Sequence, residues 1–533
     1  TFRRKKDAEE LSCGFEDIKN KEVDISADNK RIVRNTLMLY VRMVLIMLVS
    51  LYTSRVILQK LGVQDYGIYN VVGGVVSMLA FLNSTLSSTC QRYFSYELGR
   101  GNSNKLSELF CLNMTVFLYF ILAVLVLAET LGVWFVNAKL TIPPERMIAM
   151  NWAYQFSIFT FVVSSLSIPY NALIISYERM SVYAYISIIE VLLKLGIVFL
   201  LDLAGMDRLV LYAGLLFLST SIITFTYYLY CRKNYPESRY AYLWKGERLK
   251  EITNYSGWHF LGTFSNIIRD QGVNILLNVF FNPVVNAARA IAFQVSTGVS
   301  SLTHSFFTAA KPQIYKLYGA NDLKNMHSLV ERSSKMCFFL VALIAYPLLV
   351  NTRFVLALWL GEIPEYALFF TQLVLIHSLI DSVSGPAIAS ALATGYIRVF
   401  ELISGGLTLL NLPVSYILLV LGYDPYSTMF VVIFLTYLTV VVRAFILKKL
   451  LGFSVWSYLN QIVLRLTFTG LIVPLPVLGL NNFQLNSFLY LVISTCFVWL
   501  MLIFSFYYFV MKHEEREQGK AYFIGLLHKI RKR

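Results

Sequence analysis

Charged residues make up only 14% of the 533 positions. An ordinary soluble domain carries roughly a quarter, so this scarcity excludes both a single soluble core and a disordered polyelectrolyte. Cysteine is scarce too. Six are scattered from Cys13 to Cys496, without a CxxC pair or a histidine at ligand spacing, so neither a disulfide framework nor a metal site is expected. No GxxxxGK[ST] segment occurs, which leaves ATP hydrolysis unsupported, and no cofactor is implied. Residues 1–30 lack an apolar core and read as a polar cytoplasmic tail rather than a signal peptide.

Apolar length is what the chain has in abundance. Hydrophobic residues reach 57%, with 39 Phe and 34 Tyr. Fourteen apolar runs recur, at 33–57, 67–90, 109–136, 147–174, 180–201, 208–231, 252–279, 285–310, 335–357, 366–392, 396–421, 427–449, 458–480 and 485–511. About 20 residues of helix cross the ~30 Å hydrocarbon core, so the expected class is an all-α polytopic membrane protein.

The net charge of +15 raises nucleic-acid binding, but the Lys and Arg residues gather in alternate loops rather than on one soluble face. The other set of loops holds only Lys60, Lys139, Arg146, Arg208 and Arg289. Basic loops stay cytoplasmic, so both termini are expected inside and nucleic acid is not expected as a partner. Outer loops such as 421–425 are too short to build a carboxylate active site. A membrane glycosyltransferase or polymerase is thereby disfavoured, and no enzyme activity is expected.

An internal repeat gives the domain plan. Tyr96-Glu-Leu-Gly-Arg-Gly-Asn102 returns as Tyr315-Lys-Leu-Tyr-Gly-Ala-Asn-Asp322, with Gly99 and Gly319 in register. Leu61-Gly-Val-Gln-Asp-Tyr-Gly67 and Phe280-Phe-Asn-Pro-Val-Val-Asn286 each follow an apolar run. Six spans per copy make the two units parallel, as in alternating-access transporters. The expected order is a six-helix bundle over 31–231, a cytoplasmic linker over 232–250, a second bundle over 251–450, accessory helices over 451–511, and a basic tail over 512–533.

Ionised groups inside the bilayer cost at least ~2.5–3.5 kcal/mol each, so those present should face protein or water. Arg42 lies about 12 Å into the first span by helical rise. Arg269 and Asp270 lie in the seventh span, its repeat partner. Arg42 and Arg269 could make the central cleft cationic, with Arg55 at its outer mouth; alternatively, Arg269 pairs with a nearby acid and joins helices. His377 and Asp381 are four apart and could relay protons, with Asp270, or merely satisfy each other; Glu190 and Lys194 read as a self-neutralising pair. Arg353 and Arg443 sit near span ends, where long side chains snorkel. Arg92 reads as a topology charge. Arg465 lacks an evident partner.

The stretches Asn29-Lys-Arg-Ile-Val-Arg-Asn-Thr-Leu-Met-Leu-Tyr40, Thr53-Ser-Arg55 and Leu61-Gly-Val-Gln-Asp-Tyr-Gly-Ile-Tyr69 resemble the opening of Wzx-type polysaccharide-biosynthesis flippases. Asp270-Gln-Gly-Val-Asn-Ile-Leu-Leu-Asn278 with Pro283-Val-Val-Asn-Ala-Ala-Arg-Ala-Ile-Ala292 resembles their second-half signature. That group lies within the multidrug/oligosaccharidyl-lipid/polysaccharide (MOP) exporter superfamily. The resemblance implies two six-helix bundles in a V, as in multidrug (MATE-like) exporters, plus two C-terminal helices. It implies carriage of undecaprenyl-diphosphate-linked oligosaccharide across the bacterial inner membrane for O-antigen- or capsule-type polysaccharide. Membrane lipids, a polysaccharide polymerase and a chain-length regulator are the implied partners, and Arg42 and Arg269 map onto cavity cations. The competing expectation is a cation-coupled drug or metabolite exporter, with Asp381, Glu190 and Glu401 dominating its cavity.

Overall fold

The computed structural model describes residues 25–77, 80–138, 143–201, 206–281, 283–473, 487–512 and 515–517. Most of the expected tails and the loop before the last span lie outside the described residues. Every described element is helical. We number them α1 (Ile25–Ser77), α2 (Ala80–Gly99), α3 (Ser103–Ala138), α4 (Pro144–Ser176), α5 (Met180–Leu200), α6 (Arg208–Asn234), α7 (Gly246–Phe280) and α8 (Pro283–Gly319). There follow α9 (Leu323–Val350), α10 (Ala367–Ala393), α11 (Arg398–Val420), α12 (Ser427–Leu451), α13 (455–472) and α14 (Phe488–Val510). A break at Gly62 (φ 78°, ψ 163°) divides α1.

Large apolar side chains point outward along these helices, among them Leu122, Trp134, Phe225, Phe434 and Leu500. In water such a surface would aggregate; in lipid it is the solvated face. Together with its helix lengths, this makes the chain a multi-pass membrane protein.

Among the described residues, ten helices are long and apolar enough to cross a membrane by themselves; α2, α7, α8 and α13 are not among them. The first three carry Asn, Ser, Thr, Arg and His along their length and lie where the two halves meet. Helices bordering a polar cleft are relieved of the need to be apolar all round. Within the first half, α4 packs on α6, α1 on α5 and α2 on α4; within the second, α8 packs on α10 and α7 on α11. The halves join through α2 and α1 against α8, and through α2 and α3 against α7.

The sequence repeat becomes a structural one at the ends of α2 and α8. Gly101 and Asn321 both adopt the left-handed conformation (φ 68° and 60°). Asn102 and Asp322 then cap the next helix, accepting from Lys105 N and Asn325 N at 3.1 Å each. At this crossing Gly99 lies against the Lys316 backbone and Gly319 against that of Tyr96, so closely that a Cβ on either glycine would overlap a carbonyl.

The opposite end of the first half is tied by one guanidinium. Arg146 Nε donates to Asp65 Oδ1 (2.9 Å) and its Nη1 to Asp207 Oδ2 (2.5 Å). Burial alone would lift the Asp207 carboxyl, but Arg146 and the Val210 and Leu209 N–H groups outweigh it and hold the group below its ordinary 3.8. A carboxylate depressed by folding stabilises fully above its unfolded pKa, and the contribution disappears as pH falls through the folded value. Asp207→Ala, which loses cap and ion pair together, should therefore lower stability by about 1–2 kcal/mol at neutral pH. Thermal melts should show the gap between variant and parent closing below about pH 4.

Accessory helices α13 and α14 pack on α9. Trp499 Nε1 donates to Leu343 O (2.8 Å), and Asn351 Nδ2 to Ser494 Oγ (3.0 Å). Arg465 finds its partner here: Nη1 donates to the Phe509 carbonyl at 3.1 Å.

Candidate functional site

The bundles are sealed at the end that carries the basic loops. Glu178, in the turn after α4, accepts from Lys316 Nζ at 2.6 Å and from Gln313 Nε2 at 3.2 Å, both on α8. Arg92 Nη2 donates to Ala393 O (3.0 Å), and Ser256 Oγ to Thr89 Oγ1 (3.4 Å). Arg92, expected as a topology charge, is buried instead, among the rings of Tyr93, Tyr96 and Tyr255. The Glu178 carboxylate is almost fully enclosed, so removing Lys316 strands a buried charge. Lys316→Ala should open the seal, seen as at least a tenfold rise in thiol labelling of a Ser88→Cys reporter, and Glu178→Gln in the same background should restore protection.

Beyond the seal lies a cationic cluster drawn from both bundles. Arg42 sits seven residues past Asn35, whose side chain donates to the Glu178 carbonyl (3.2 Å), and thus about 10 Å deeper. Its guanidinium lies over the Tyr183 ring at 4.4 Å, and its buried Nε has no hydrogen-bond partner. From α8, Lys311 Nζ crosses to Ser88 Oγ (2.9 Å). Exposed His304 is two turns away on the same face of α8, within electrostatic reach of both Lys311 and Arg42. Among the described residues, neither Arg42 nor Lys311 has a carboxylate partner.

Arg269 belongs to a different cluster. Its Nε donates to the neighbouring Asp270 Oδ1 (2.8 Å), and it lines a cavity of about 40 Å³ inside the second bundle with Asp381, Arg443 and Asn411. Arg443, expected to snorkel, turns inward instead and lines this cavity, with its Nε buried. His377 Nε2 is 3.2 Å from Thr436 Oγ1. Asp381, Arg269 and Asp270 all lie within electrostatic reach of His377 in the second bundle, with Asp381 exposed, while Arg42 stands with α8. The side chain of Arg55 lies outside the described residues. Glu190 and Lys194 pair at 2.7 Å, and Glu401 pairs with His259 at 2.9 Å. Arg289, counted among the outer-loop charges, is buried in α8, with Nη1 against Asn274 Oδ1.

Lys311 and His304 were not singled out by sequence. The eighth apolar run ends at 310, so Lys311 counted as a loop charge, but α8 runs to Gly319 and turns it inward. Their seven-residue spacing on one helix face was the available signal. Among the described residues, no group of three or more His, Cys, Asp or Glu could hold a metal ion.

No family profile matches the sequence, and no curated protein matches it. Solved structures do share its fold. An outward-facing multidrug resistance transporter of the MATE family, MOP superfamily, superposes with a TM-score of 0.67 at 13% identity, covering 80% of this chain and 96% of its own. The Vibrio cholerae MATE transporter VcmN in its bent form gives 0.64 at 16% identity, covering 81% and 99%. The MATE transporter ClbM in complex with Rb+ gives 0.64 at 14%, covering 80% and 95%. The chain thus has the fold of the MATE transporters, and these neighbours are transporters rather than enzymes.

Proposed function

We propose that this protein is a flippase for polyprenyl-diphosphate-linked oligosaccharide, a Wzx-type member of the MOP superfamily working by alternating access in the bacterial inner membrane. The observation that supports it most is the pair of uncompensated cations, Arg42 and Lys311, contributed by facing helices just beyond the seal. A diphosphate placed between them gains charge-assisted hydrogen bonds of about 1.5–3 kcal/mol each, enough to select an anion yet weak enough to release it. With basic loops inside, the sealed end is the cytoplasmic one and the cluster lies on the far side of the seal from it. In the cycle, the seal opens, the head group enters while the polyprenyl tail stays in lipid, and reclosure exposes the head group outside. A polymerase and a chain-length regulator are then the natural receivers of the product.

The second reading is a cation-coupled exporter of the same fold. Its support is the acidic pair Asp270 and Asp381 in the second bundle and the fold shared with multidrug transporters. Against it, Arg269 and Arg443 stand beside the two acids and match their charge, so no net negative charge is left there to hold a further cation. The deciding experiment is deletion of the gene in a strain without a redundant flippase. Accumulation of lipid-linked oligosaccharide in the inner leaflet, with loss of surface glycan and rescue by the intact gene, is expected. Unchanged lipid-linked glycan together with drug sensitivity would establish the second reading.

A further inference from the structure

On the outer side of the seal's own contacts, facing the basic end, lies a vestibule of about 710 Å³ that the central cluster does not reach. The ends of α2 and α8, the first turns of α3 and α7, and the turn between α10 and α11 form its walls. Its acids are mostly matched: Glu108 pairs with Lys245 (3.0 Å) and Glu251 with Arg248 (3.0 Å), while buried Glu97 acts electrostatically on Arg248. Arg100 and Arg398 have no carboxylate partner among the described residues. They lie over the Tyr96 and Trp258 rings, at 5.3 and 5.1 Å. Buried Arg92 completes the set, with its Nε unpartnered. Three guanidiniums and several aromatic faces in one concavity suit a phosphate joined to sugar rings.

The vestibule does not end at the protein's aqueous face. Its Glu251, Asn254 and Trp258 also border a second cavity, of about 960 Å³, running along α7. From there Leu249, Thr253, Gly257 and Phe260 lead into an apolar groove of about 490 Å³ between α3 and α7, walled by Val116 and Phe120. Nothing lies within 4 Å of a Cβ built on Gly257, so the path is open at its middle. Trp244 and Tyr119 stack edge-on at 5.6 Å over the groove's mouth, and Tyr242 bonds Tyr119 at 3.2 Å. Such Tyr and Trp clusters sit at the level of lipid head groups, which places the groove just inside the hydrocarbon and the vestibule just outside it. Polar, cationic and aromatic above, apolar below, the seam is built for an amphiphile.

We propose that this α3–α7 seam is a loading site for the lipid-linked substrate in the basic-side leaflet. The phosphate-linked sugar enters the vestibule against Arg92, Arg100 and Arg398, and the first isoprene units lie in the groove beside Gly257 and Phe260. The proposal rests on the flippase reading and adds to it a second site for the same substrate, separated from Arg42 and Lys311 by the seal.

The test uses the full chain in nanodiscs with benzoylphenylalanine at Phe260 and undecaprenyl diphosphate-N-acetylglucosamine as probe. Photolysis should attach the probe, and a hundredfold excess of phosphatidylglycerol should not displace it. Adding Arg100→Gln with Arg398→Gln should cut attachment at least tenfold, and Gly257→Trp should remove it. Equal capture of phosphatidylglycerol, or equal capture of undecaprenol without a head group, overturns the proposal in favour of a general lipid groove. Translocation at the parent's initial rate by Gly257→Trp vesicles that no longer capture the probe overturns the loading site and leaves the flippase reading intact. Vesicles of the parent chain that translocate no probe at all overturn both.

Discussion

Valine at Gly99, or at Gly319, is expected to prevent the basic end from closing. Each glycine meets the backbone of the other bundle's helix, and a backbone cannot rotate aside as a flexible side chain can. Overpacking a well-fitted contact typically costs about 1–3 kcal/mol, and here the whole penalty falls on the sealed state because the contact exists only there. The population of that state should therefore drop about tenfold to a hundredfold. Labelling of a Ser88→Cys reporter by a membrane-impermeant thiol reagent from the basic side would rise accordingly. The repeat makes the two variants equivalent, so they should match each other. Gly101→Asn is the control: its repeat counterpart, Asn321, holds the same left-handed geometry with an asparagine, and labelling should stay at the parent's value. Unchanged labelling in both valine variants would show that the crossing is not the gate.

Removing the cations Arg42 and Lys311 is the second large effect. Arg42→Ala and Lys311→Ala should each slow translocation of a lipid-linked glycan about tenfold to a hundredfold, from the loss of one charge-assisted contact apiece. The double variant should lose more than either alone. Lys311→Arg should retain most of the rate, because charge is what the position supplies. Arg42→Lys should be slower than the parent, because an ammonium loses the planar face that lies over Tyr183. Melting temperatures should scarcely change, since neither cation is spent on an ion pair. A double variant that flips at the parent's rate would remove these residues from the substrate path.

Much of this fold was legible in the residues. Apolar length gave the helices, and the recurrence of Tyr-x-Leu closely followed by Gly, at Tyr96–Gly99 and Tyr315–Gly319, anticipated a symmetric feature. Its physical content, two glycines crossing and two caps built alike, needed coordinates, because a repeat in sequence does not say that the copies touch. The candidate site was only half legible. Arg42 stood out as a charge in a long apolar run, and its guanidinium lies over the Tyr183 ring beyond the seal. Lys311 was hidden by position, since a lysine at the end of a run reads as a loop charge until the helix is seen to continue. Arg92 was misread for the same reason: span ends inferred from hydropathy stop where polar residues begin, whereas helices facing protein continue through them; Arg443 lay inside its expected span, and hydropathy does not say which way a side chain near a helix end turns. Arg269 was recognised as buried, but its partner is the adjacent Asp270, and sequence distance alone could not decide between pairing and lining the cleft.

The most direct test is reconstitution. Purified protein in vesicles carrying fluorescent undecaprenyl-diphosphate oligosaccharide in both leaflets is exposed to an impermeant quencher. The flippase account predicts that inner-leaflet signal becomes quenchable only when the protein is present, that the Arg42→Ala, Lys311→Ala double variant loses most of that rate, and that a cationic dye is not moved. Protein-dependent, ion-gradient-driven dye transport with no movement of the oligosaccharide would contradict it.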